Sequence, residues 1–87
     1  MGYRILDVKV AKVDLGANKL VIKRKKVRAG KAGFLKNIFV VETSTLITDK
    51  DNRTITLSEI KVGSRITIDF MKTQDKKLLA KGISVLS

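Results

Sequence analysis

Apolar and polar residues alternate along this chain in short runs, with almost no helical periodicity. Leu6, Val8 and Val10 alternate with Asp7 and Lys9, and Ala11, Val13 and Leu15 continue on the opposite parity. A period of two places alternate side chains on one face of a strand. The change of parity predicts a bulge or sharp bend at Val10-Ala11, a device that curls a strand around a small barrel. Asp14 to Asn18 reads as a turn, with Gly16 and Asn18 suited to positive φ. A second strand is predicted over Lys19–Arg28, a flexible loop over Arg28–Gly33 and a third strand over Phe34–Thr43. A polar link runs from Ser44 to Leu57, then come one helical turn at Ser58–Lys61 and a tight turn at Val62-Gly63-Ser64. In the fourth strand, Arg65–Lys72, the residues Ile66, Ile68 and Phe70 alternate with Thr67, Asp69 and Met71. Thr73 to Lys76 makes the last hairpin turn. Lys77–Leu86 is the fifth strand, where Gly82 marks a bulge or a close strand approach.

Five strands in 87 residues, with the long link between the third and fourth, predict one all-β domain over residues 1–87. The layout is that of a five-stranded, mostly antiparallel OB-like barrel, with a generic five-stranded sandwich as the alternative. Centring the first long hairpin near Gly30-Lys31 pairs Leu20 with Val41 and Ile22 with Phe39, all on one face, and Val27 with Phe34 on the other. The expected core is Leu6, Val8, Leu20, Ile22, Phe39, Val41, Ile66, Ile68, Phe70, Ala80, Ile83 and Val85. Beyond Ile22 the second strand becomes Lys23-Arg24-Lys25-Lys26, polar on both faces. Charge cannot be buried on alternate positions without partners, so this β2–β3 hairpin is expected to protrude from the barrel as a basic arm with a mobile tip.

Charge gives the arm its interest. The chain has 19 Lys and Arg against 8 Asp and Glu, a net charge of +11. No acidic residue lies between Asp14 and Glu42, and that window holds +8 of the total. A field so concentrated attracts polyanions. The candidate binding residues are Lys23, Arg24, Lys25, Lys26, Arg28, Lys31 and Lys36, with Phe34 as the candidate stacking ring at outer parity. Phe39 and Phe70 fall at core parity, and Tyr3 sits close to the start. Lysine outnumbers arginine, which favours diffuse phosphate contact over bidentate base readout. A purely solubilising role is the competing account, since lysines on an exposed edge block edge-to-edge aggregation.

The same composition removes most chemistry. With no His and no Cys, no hydroxyl has an imidazole to activate it and no thiolate site exists, so an enzyme is not expected. Asp49-Lys50-Asp51-Asn52 begins like a calcium loop, but Arg53, Thr54 and Ile60 occupy positions where the pattern needs Asp or Asn, Gly and Glu; an Asx turn is expected instead. Gly30-Lys31-Ala32-Gly33 lacks the rest of a P-loop. No cofactor is expected. No apolar run approaches the roughly 18 residues of a membrane helix. No signal peptide is visible, so Met1-Gly2 is either a native start or the new terminus left by removal of a leader.

Thr56-Leu57-Ser58-Glu59-Ile60-Lys61-Val62-Gly63-Ser64-Arg65-Ile66-Thr67-Ile68 resembles a signature of small bacterial OB-like barrels: a leucine, an acidic residue before isoleucine, Lys-Val-Gly, then an alternating strand. Leu79-Ala80-Lys81-Gly82-Ile83-Ser84-Val85 resembles their closing strand, and Val10-Ala11-Lys12-Val13-Asp14 their opening one. The similar groups are an often exported family of unknown function and the periplasmic copper/silver chaperones of the Cus efflux system. The resemblance implies the fold and says little about function. Those chaperones hold soft monovalent metal through a His, two Met and a Trp. This chain has no His and no Trp, and its methionines are Met1 and Met71, so the metal site does not carry over. Two functional expectations remain. One is a non-enzymatic module for a polyanion such as nucleic acid, which would be cytoplasmic. The other is an exported periplasmic or envelope barrel whose arm meets anionic lipid, cell-wall polymer or an acidic protein partner.

Overall fold

The computed structural model describes residues 2–28 and 30–87, the side chains of residues 25–28, 31, 32 and 34 excepted. Among the described residues there are six strands: β1 Gly2–Asp14, β2 Lys19–Arg28, β3 Lys31–Val40, β4 Leu46–Thr48, β5 Arg65–Lys72 and β6 Leu78–Val85. A single 3-10 turn covers Leu57–Glu59. The sheet order is β3-β2-β1-β5-β6-β4, and a further β3–β6 pairing closes five of the strands into a ring. The closure is parallel and short, Phe39 beside Leu78 and Val40 beside Leu79, while the other four contacts of the ring are antiparallel. The all-β, OB-like barrel read from the sequence is therefore present.

Two bulges let β1 serve two neighbours. Between Val10 and Lys12 the register with β2 shifts, where the parity change predicted it. A second shift lies between Ile5, opposite Ile68, and Val8, opposite Ile66. Leu6 and Asp7 together face Thr67 there, and Asp7 takes a φ of +51°, a left-handed conformation that Asp tolerates better than most residues. This bulge corrects the expectation for Leu6. The Leu6/Val8/Val10 alternation does not survive it; Ile5 turns inward and Leu6 is left 67% exposed.

The core consists of Val8, Val10, Leu20, Ile22, Phe39, Val41, Ile47, Leu57, Ile60, Ile66, Ile68, Phe70, Ala80 and Ile83. Val85 is half-buried against its edge with Ile5, Val13, Ile55 and Leu78. Each fully buried Ile, Leu or Phe is worth about 1.5–3 kcal/mol in transfer free energy. The described residues bury no charged side chain.

The long hairpin differs from expectation in where β3 begins and in its register; Ala29, in the tip expected to be mobile, lies outside the described residues. Arg28 pairs with Lys31, so β3 begins at Lys31 where a flexible loop was expected, and it ends at Val40 where Thr43 was expected. Leu20 then faces Phe39 and Ile22 faces Asn37; Phe34 faces Lys25 and Val27 faces Ala32. The observed register is displaced by two residues from the expected one, and a slip of two preserves which face each side chain occupies. Leu20, Ile22, Phe39 and Val41 all remain buried.

The polar link contains the unexpected strand. In β4, Ile47 is buried and pairs in parallel beside Ile83. The rest of the link behaves as read: Asp49 Oδ1 accepts from the backbone N–H of Asp51 and Arg53, each at 2.9 Å, an Asx turn. The 3-10 turn is held by Thr56 N–H donating to Glu59 Oε2 at 2.7 Å, and Gly63 has the φ of +91° that its tight turn requires. Gly82 sits at a register shift of β6 on β5, where a Cβ would touch Asp69 Oδ2 at 3.6 Å and the Leu46 carbonyl at 3.8 Å.

Candidate polyanion-binding surface

β2 meets β1 from Lys19 to Lys23, opposite Asp14 to Lys9. From Arg24 onward β2 pairs with β3 alone among the described pairings, through Arg28 and Lys31. Of the residues expected to bind, Lys23 and Lys36 lie opposite one another and are exposed. Arg24 is half-buried, and its Nε donates to Asn37 Oδ1 at 3.1 Å. The side chains of Lys25, Lys26, Arg28, Lys31 and Phe34 lie outside the described residues; the pairing places their backbones on one two-stranded ribbon.

The structure brings Lys36 together with cations far away in sequence. A groove of about 360 Å³ beside β3 is lined by Lys19, Lys36, Lys76, Lys77 and the apolar residues Ile38, Val40 and Leu78, with Asn37 at one edge. Lys76 and Lys77 reach it from the β5–β6 turn. That turn is closed by Thr73 N–H to the Lys77 carbonyl at 2.8 Å and by a φ of +62° at Lys76. No carboxylate lines the groove, and none of the four lysines forms an ion pair with a described residue. Asp14, opposite Lys19, accepts instead from Ala17 N–H at 3.1 Å. Sequence reading missed Lys76 and Lys77 because they stand forty residues from Lys36 and the basic window; the only signal was a lysine pair in a hairpin turn.

The other flank of the barrel is wired differently. Arg4 Nε donates to Asp69 Oδ1 at 2.5 Å, and Arg65 grips Asp7 in a bidentate pair at 2.6 and 2.5 Å. Hydrogen bonding from Arg65 lowers the pKa of the Asp7 carboxyl, and the same kind of bonds raise those of Arg4 and Arg65 further. A larger groove of about 770 Å³ runs here, lined by Arg4, Ile5, Leu6, Asp7, Val8, Lys9, Lys23 and Arg24. It opens where β1 parts from β2 to pair with β5.

Between the two lies the aromatic cluster. Tyr3 stacks on Phe70 at 5.5 Å between centroids and 23° between planes, and Phe70 meets Phe39 edge to face at 4.9 Å. Phe39 and Phe70 are buried as their parity predicted, and Tyr3 is 45% exposed.

In a comparison of folds, silver-bound CusF superposes with a TM-score of 0.68 at 19% identity, over 98% of this chain and 97% of the other. A copper(II)-bound variant of CusF from Escherichia coli gives 0.67 at 20% identity, over 97% and 90%. The fold is shared with CusF. No family model matches the sequence, and no curated protein is similar to it in sequence. The donor set does not accompany the fold. Met71 is the one methionine among the described residues, the chain contains no His, Cys or Trp, and the described residues hold no cluster of three His, Cys, Asp or Glu. One thioether does not make a soft-metal site.

Proposed function

We propose that this barrel is a non-catalytic module that binds a polyanion along its β2–β3 flank. The observation that carries the reading is the groove of Lys19, Lys36, Lys76 and Lys77, without a lining carboxylate and continuous with a hairpin rich in further cations. Lysines on flexible stems suit phosphate or sulfate at variable spacing. The binding is expected to be micromolar or weaker and tolerant of sequence. Fluorescence anisotropy with a labelled oligothymidylate and labelled heparin, at several salt concentrations, tests it. Four phosphate contacts give a log–log salt slope of about −3, at about −0.7 per contact on single strands. Absence of binding to both polymers at about 50 mM salt would refute the reading, as would unchanged binding after all four lysines are replaced by Ala.

The shared fold with silver- and copper-bound CusF supports a second reading, an exported barrel acting as an interaction module in the cell envelope, where the same flank meets an acidic partner. A leader peptide encoded ahead of Met1 would favour it.

A further inference from the structure

We infer that Tyr3 is a base-stacking platform, so that the polyanion the barrel takes is single-stranded nucleic acid. This deepens the polyanion reading and rests on it. Several observations converge on one place. The Tyr3 ring is fixed from beneath: it stacks on Phe70, and Phe70 packs edge-on against the fully buried Phe39. The platform is therefore rooted in the core and loses little freedom when a second ring is laid on it. Nearly half of Tyr3 remains exposed. The ring borders a groove of about 360 Å³ shared with Arg24, Asn37, Phe70, Lys72 and Leu78, a volume within the roughly 300–1,000 Å³ of small-ligand sites.

Three cationic side chains line that groove. Lys72 Nζ lies over the Tyr3 ring, 5.8 Å from its centroid, in a cation–π contact on a flexible stem; a base laid on the ring would displace this ammonium toward the adjoining phosphate. Arg24 is oriented through Nε by Asn37, which directs its terminal nitrogens without consuming them in that bond. Arg4, in the same groove, is already held by Asp69. Asn37 and Leu78 form a wall common to this groove and the four-lysine groove. A strand crossing that wall would lay a base on Tyr3 while its neighbouring phosphates met Lys19, Lys36, Lys76 and Lys77. Every base has a π face, so such a site tolerates sequence; a sulfated sugar polymer has no planar ring to stack on Tyr3.

Tyr3 is the single tyrosine and the chain has no tryptophan, so tyrosine emission reports this ring alone. In the whole protein, titration with oligothymidylate is expected to quench that emission, and heparin at matched charge is expected to leave it unchanged. By anisotropy, Tyr3→Leu is expected to weaken oligothymidylate about 5- to 150-fold, the range for one base on one ring, with heparin unaffected and Tyr3→Phe close to the parent. If Tyr3→Leu fails to fold, the quenching contrast in the parent protein decides alone. Equal quenching by both polymers, no quenching by either, or equal weakening of both by Tyr3→Leu overturns the inference and leaves the polyanion reading standing. Failure of the parent protein to bind either polymer overturns both.

Discussion

On the β1–β5 flank each exposed arginine faces a carboxylate: Arg4 with Asp69, Arg65 with Asp7. On the β2–β3 flank four lysines gather around Ile38 and Leu78 with no carboxylate among them. Both flanks hang from one core and draw on the same basic composition. The paired cations cancel their field at short range and fix side-chain geometry. The lysines leave theirs to extend outward for about a Debye length, near 10 Å at 0.1 M salt. Net charge alone would have treated the flanks alike; what separates them is where the acidic residues sit in the fold.

The largest expected effect tests whether the flanks share one cooperative unit. Phe39 is buried and belongs to β3, yet it touches Phe70 of β5. Phe39→Ala should cost about 3–5 kcal/mol, read as a lower denaturation midpoint with a single transition. Two separated transitions would mean that the lysine flank melts on its own, and the comparison would then describe two bodies.

Next in size is the functional contrast. With four contacts, raising salt from about 50 to 200 mM should weaken polyanion binding by about 50-fold. Replacing Lys19, Lys36, Lys76 and Lys77 by Ala should remove most of that dependence. Replacing Arg65 by Gln should leave affinity within about twofold, because an exposed ion pair contributes little either way. An equal loss from Arg65→Gln, measured by the same anisotropy titration, would break the contrast.

A smaller effect is expected in acid. Hydrogen bonds from Arg65 lower the pKa of Asp7 in the folded state. That pair therefore stabilises the fold above the unfolded carboxyl value of about 3.9 and stops doing so as pH falls through the lower folded value. Asp7→Asn keeps the left-handed backbone; it should lower stability at neutrality by what the pair contributes there and flatten the acid limb of a stability-versus-pH curve below about pH 4, so that the two proteins converge in acid. A limb as steep as the parent's would assign the acid sensitivity elsewhere.

Leu6→Ala should have the least effect, within about 0.5 kcal/mol in the same denaturation measurement, since Leu6 is largely exposed. It also marks where the sequence misleads. Alternation placed Leu6 in the core, and an Asp at positive φ reversed the phase just before Val8. The Val10-Ala11 bulge was legible because the parity change itself is written in apolar residues. The core face of the long hairpin was legible because a slip of two residues leaves parity intact. The start of β3 was not, because Gly30 to Gly33 carries two glycines and no apolar alternation, while its pairing with β2 already begins at Lys31. β4 was hidden by brevity, with only Ile47 of its three residues buried. For the site, the basic hairpin could be read along the chain, but its union with Lys76, Lys77 and Tyr3 exists only after the ring closes.

That closure runs through β6, which lies parallel to β3 at Leu78-Leu79 and parallel to β4 at Gly82 to Ser84, while β5 pairs along its whole length. β6 is also the last of the strands in chain order. Until it docks, Phe39 and Ile47 have no wall on one side, and the β2–β3 hairpin can form locally without being part of a barrel. Contacts that join such distant segments incur their loop-closure entropy before any burial offsets it. The time course of folding should therefore be governed by the arrival of β6, and the lysine groove, which needs Lys77 and Leu78 in place, should appear in the same kinetic step as the buried core.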